Sequence, residues 1–121
     1  MEKLIEISNR LIRNVSDQFT RSLYQHVNWK NKLIEIRGPR GVGKTTLMLQ
    51  HAKKLSNKNV SVLYVSLDNA YFFRNRLTDL ADNFYKYGGK YIFIDEVHKY
   101  PVKEKGLDWS LEIKNIYDSY P

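Results

Sequence analysis

Apolar and polar positions in this chain follow two periods, and the switches between them mark its elements. Ile12, Val15, Phe19 and Leu23 fall at i, i+3, i+7 and i+11, which predicts an amphipathic helix capped by Ser8. Asn28–Lys32 reads as a turn and Leu33–Ile36 as a short strand. Met48, Ala52 and Leu55 then lie on one helical face, which runs to the Ser56-Asn57-Lys58-Asn59 turn. Val60–Leu67 is apolar on both alternating faces, as a parallel strand covered on both sides would be. Asp68 and Asn69 end it and can cap the next element. Phe73, Leu77, Leu80, Ala81 and Phe84 predict the clearest amphipathic helix, stopped by Gly88-Gly89. Tyr91–Ile94 is a third apolar strand. A last helix, capped by Asp108, carries Trp109, Ile113 and Ile116 on one face. Strands that alternate with helices predict an α/β fold with a parallel sheet.

At 121 residues the chain suffices for one domain, and its 42% hydrophobic and 27% charged residues are those of a globular one. We divide it into an N-terminal helical segment, 1–32, and a core, 33–121. No apolar stretch approaches the roughly 18 residues of a membrane span, and the amino terminus lacks a signal-peptide pattern. Without cysteine, disulfides and thiolate metal sites are excluded, and a reducing cytoplasm is the expected location. The net charge of +7 raises nucleic acid as a partner. Its lysines and arginines are spread along the chain, however, which a solvated surface explains equally well.

Candidate chemistry begins at Gly38-Pro39-Arg40-Gly41-Val42-Gly43-Lys44-Thr45, which meets G-x-x-x-x-G-K-[ST], the phosphate-loop (Walker A) pattern, at every fixed position. Glycines let the backbone turn tightly and aim successive N–H groups at phosphate oxygens. Lys44 is expected to reach the terminal phosphates, and the Thr45 hydroxyl to bind the accompanying Mg²⁺. Strand, loop and helix come in the order this requires, so Gly38–Thr46 is the expected nucleotide-binding segment, Thr46 included.

A second constellation, Asp95-Glu96, ends the third apolar strand 51 positions after Lys44 and has the form of a Walker B element. An acid at the carboxyl end of a buried strand sits where ligands bind in α/β sheets. Asp95 is expected to hold Mg²⁺ through its water shell, and Glu96 to orient and deprotonate an attacking water. His98 lies two residues beyond Glu96 and can reach the same region, although a structural or exposed role is the simpler reading. His26 has no metal partner at ligand spacing and reads as a surface or boundary histidine; His51 flanks a core face, and Trp29 and Trp109 read as packing residues.

Taken together, Gly38–Leu47 and the segment Ile94-Asp95-Glu96-Val97-His98-Lys99-Tyr100-Pro101 resemble the ATPase domain of prokaryotic AAA+-type ATP-binding proteins, which usually carry a C-terminal restriction-endonuclease-like domain. Trp109 and Leu111–Pro121 resemble the same family, although Val102–Leu107 is longer than its usual link. The resemblance implies a P-loop NTPase-type three-layer α/β/α fold, ATP and Mg²⁺ as cofactors, and self-association or a nuclease-like domain as partners. It also implies five parallel strands ordered 5-1-4-3-2, of which three can be read here. The phosphate-loop strand and the Asp95 strand should then lack the neighbour that separates them, leaving bare edges. We therefore expect an incomplete domain of a longer product.

Three functions are open to these residues. Mg²⁺-dependent ATP hydrolysis is the first, since the chain has no Asn-Lys-x-Asp guanine-reading segment and Glu96 directly succeeds the metal-binding acid. A nonhydrolysing, ATP-dependent switch that contacts DNA or a protein is the second. A small-molecule phosphotransferase with Asp68 as substrate contact is the third. Arg74 and Arg76 carry no mark of an arginine finger.

Overall fold

Three short parallel strands carry the fold. The computed structural model describes residues 2–15, 33–35, 43–101 and 109–119. β1 (Leu33–Glu35), β2 (Val62–Ser66) and β3 (Tyr91–Asp95) form one sheet in the order β1-β3-β2. Leu33, Ile34 and Glu35 sit opposite Ile92, Phe93 and Ile94, while Tyr64 pairs with Phe93 and Ser66 with Asp95. The helices are α1 (Glu2–Asn14), α2 (Lys44–Asn57), α3 (Leu77–Lys86) and α4 (Trp109–Ser119).

Alternation along β2 and β3 divides the core in two. Leu63, Val65, Ile92 and Ile94 join Leu77, Leu80, Ala81 and Phe84 of α3 and Ile116 of α4. Tyr64 and Phe93 point the other way, toward Leu47, Met48 and Ala52 of α2 and Ile12 of α1. Each fully buried large side chain, Phe93 or Leu80 for example, contributes about 1.5–3 kcal/mol by leaving water.

The carboxyl ends of α2 and α3 obey local chemistry. α2 closes on Asn59, whose φ of 63° is the left-handed conformation asparagine tolerates, with Val60 N–H bonded to Leu55 O at 3.1 Å. α3 closes on Gly88 at φ 92°. The first donors of α3 are satisfied from outside the helix. Leu77 N–H donates to the Tyr100 hydroxyl at 3.0 Å, and Thr78 N–H to the buried Glu112 carboxylate of α4 at 3.2 Å. Burial, helped by the bond to Glu112, raises the Tyr100 phenol well above its ordinary pKa, so it stays protonated.

Several expectations change. Ser8 does not cap the first helix, which starts at Glu2; Ser8 is buried within it, between Leu4 and Ile12 on the inner stripe. A small hydroxyl fits there because it accepts a hydrogen bond from Tyr64 N–H at 2.9 Å. Phe73 is 68% exposed and precedes α3; its neighbour Phe72 fills the core instead, because Ala70–Phe73 is a 3₁₀ turn that shifts the helical phase. Asn69 rather than Asp68 caps that turn, its side chain accepting from Tyr71 N–H at 2.9 Å. The predicted vacancy between the phosphate-loop strand and the Asp95 strand is absent: β1 and β3 pair directly. The continuation of the first helical stripe to Phe19 and Leu23, Trp29 and Asp108 lie outside the described residues, as does the Trp109 side chain.

His51 is buried in α2, edge-on to Phe93 with ring centroids 6.0 Å apart. Burial first, then the charges of Lys54 and Lys58, lower its pKa to about 4.

Candidate active site

The sheet's carboxyl edge gathers residues from α2 and the tip of β3. α2 starts at Lys44 behind Gly43, whose φ of 78° would strain a residue with a Cβ. Gly43 offers no side chain as a cap, so no cap side chain competes for the donors at the helix head. The first helical turn brings Lys44 inward and leaves Thr45 half-buried, with Thr46 exposed.

Asp95 receives them. It lies two residues beyond Phe93 and so on the α2 side of the sheet, only 2% exposed. Thr45 Oγ1 donates a hydrogen bond to Asp95 Oδ2. Lys44 Nζ is 3.7 Å from Asp95 Oδ1 and 3.8 Å from Glu96 Oε1. One ammonium thus faces two carboxylates, a formal charge of about −1 that favours a further cation. Glu96 donates its N–H to Asp95 Oδ1 at 2.9 Å. His98 Nε2 lies 3.5 Å from Glu96 Oε2, on a ring left 62% exposed.

Of the residues expected at the site, Lys44, Thr45, Asp95 and Glu96 meet. Gly43 heads the helix, and Thr46 lies on its exposed side. Gly38, Pro39, Arg40, Gly41 and Val42 lie outside the described residues. Asp68 is exposed and accepts the Ser66 hydroxyl at 2.6 Å. Sequence reasoning missed Tyr64, whose hydroxyl donates to Asp95 Oδ2 at 2.7 Å. A tyrosine inside an otherwise apolar strand was the available signal, since a buried phenol needs a polar partner. Burial first, then the hydrogen bond to Asp95 and its charge, raise this phenol well above its ordinary pKa and keep it a donor.

For Mg²⁺ the donor chemistry is suitable: a hydroxyl and a carboxylate are the hard oxygen ligands that ion prefers. Among the described residues no group of three or more His, Cys, Asp or Glu side chains could hold a metal ion. Mg²⁺ commonly needs only one or two protein groups beside water and phosphates.

A parallel α/β domain with strand-tip acids facing a helix head is the class that fold and site define. A family model described as an AAA domain matches residues 30–121, and the chain belongs to that family of nucleotide-binding, ATPase-type domains. No match is found among curated proteins or among solved structures. Among the described residues no helix is long and apolar enough to cross a membrane.

Proposed function

We propose that the chain binds ATP with Mg²⁺ and hydrolyses it, as a P-loop NTPase-type domain whose parallel sheet lies between helical layers. What supports this reading is the meeting of Lys44 and Thr45 with Asp95 and Glu96 across some fifty positions of sequence. The backbone of Gly38–Thr46 cradles the phosphates, and Lys44 leaves its carboxylates for the terminal phosphate oxygens. Thr45, and Asp95 through the ion's water shell, hold Mg²⁺, which when bound neutralises phosphate charge. Glu96 orients a water in line with the γ-phosphorus and takes its proton as the new P–O bond forms and the bond to ADP breaks.

Two variants test this. Glu96→Gln keeps the hydrogen-bonding shape but cannot take the proton; ATP affinity should hold while turnover falls at least about 100-fold. Lys44→Ala should weaken binding and turnover together. Calorimetric ATP titration and phosphate release, with and without DNA, read both. Phosphate release by Glu96→Gln equal to the parent's would end the assignment of Glu96. Tight ATP binding without turnover in the parent would favour the switch.

A further inference from the structure

Asp95 is nearly saturated by donors, and one of them, the Tyr64 hydroxyl, belongs neither to the phosphate loop nor to the Asp95-Glu96 pair. A carboxylate offers about four lone-pair directions. Oδ2 takes the hydroxyls of Thr45 and Tyr64; Oδ1 takes Glu96 N–H at 2.9 Å and faces Lys44 Nζ at 3.7 Å. Tyr64 is itself held firmly: its backbone N–H is on Ser8 Oγ at 2.9 Å, and its ring packs with Phe93 and α2 in the inner cluster.

From this juxtaposition we propose that Tyr64 is a positioning residue for the cation that accompanies the nucleotide. Its phenol pins the Asp95 carboxylate in the rotation that accepts the Thr45 proton. A threonine that gives its only proton to Asp95 keeps its lone pairs for a cation. With Oδ2 shared by two hydroxyls, Asp95 serves the cation as an orienting charge and through the ion's waters rather than through Oδ2 directly. The proposal rests on the ATP reading above and adds to it a residue outside both motifs. Outer groups that orient a metal's ligands typically carry 10–100-fold of metal affinity.

The test is ATP titrated calorimetrically into the full chain, first in EDTA and then at rising MgCl₂. The parent should bind ATP more tightly as Mg²⁺ rises. Tyr64→Phe should match it in EDTA but need about 10-fold more Mg²⁺ for the same tightening. In an Asp95→Asn background, Tyr64→Phe should add nothing. If Tyr64→Phe tracks the parent throughout the Mg²⁺ series, the proposal is wrong and the ATP reading stands. Equal weakening in EDTA and in Mg²⁺ makes the phenol a core group only and overturns it too. If the parent binds no ATP, the underlying reading fails first. Should Tyr64→Phe not fold, Tyr64→Met carries the same comparison; failure of both to fold assigns the hydroxyl to stability and ends the idea.

Discussion

Glu96 adopts φ 54° and ψ 43°, left-handed geometry that costs a non-glycine residue on the order of 1–3 kcal/mol. The turn it makes brings its own N–H onto Asp95 and its carboxylate beside Lys44. Stored strain of this kind is common where function needs an unusual backbone, which fits the role proposed for Glu96. Nothing in the string Ile94-Asp95-Glu96-Val97 announces it, because the conformation is imposed by the contacts around it. Gly89 is constrained by proximity instead. A Cβ there would stand 2.3 Å from the Phe84 ring, inside the core. Gly89→Ala should therefore lower stability by about 1–3 kcal/mol, read as a lower urea midpoint. An unchanged midpoint would mean that the Phe84 ring swings away without loss.

α1 shows how an element can be half-read. Its apolar spacing is visible from Ile12 onward, but its start is not, since Leu4 and Ser8 complete the stripe only when β2 lies beneath them. Among the described strands β2 lies at an edge, and Tyr64 N–H would be an orphan donor there without the Ser8 hydroxyl. Ser8→Ala leaves that donor buried and unpaired, so we expect a loss of about 1–3 kcal/mol in urea unfolding. Ser8→Thr, which keeps the hydroxyl, should recover part of it; no difference between Ala and Thr would mean the bond adds nothing. Just past the end of the same helix, Val15 O accepts from the Lys53 ammonium at 3.0 Å. α3 is similar: its apolar face was legible, whereas its cap comes from Tyr100 and Glu112, 23 and 34 positions away. Local sequence cannot specify a cap supplied from another element.

For the whole molecule, acid is the informative stress. His51 has its folded-state pKa lowered from 6.5 to about 4, so the unfolded chain binds the additional proton between those values. Stability from this group is complete above pH about 6.5, falls as pH drops through that window, and changes no further below about 4. His51→Leu should flatten this part of the profile. Urea midpoints at pH 7 and pH 5 check it: the parent should lose more than the variant, and equal losses would remove His51 as the cause. Sheet topology also belongs to this scale. The apolar runs identify three strands, yet their order depends on which of them share partners in space. Here β3 lies between the other two and pairs with both.

Legible in the residues alone were the three strands, the main helices, the parallel α/β class and the pairing of a Gly-Lys-Thr helix head with an acid-tipped strand. Hydrophobic period and motif spacing are local quantities, written within a dozen or so residues. Three-dimensional packing was needed to make β1 and β3 direct neighbours, to send Phe72 and not Phe73 into the core, and to let Tyr64 complete the environment of Asp95. Each of these depends on packing between groups far apart in the chain, where distance and burial select among partners that the local pattern leaves equivalent.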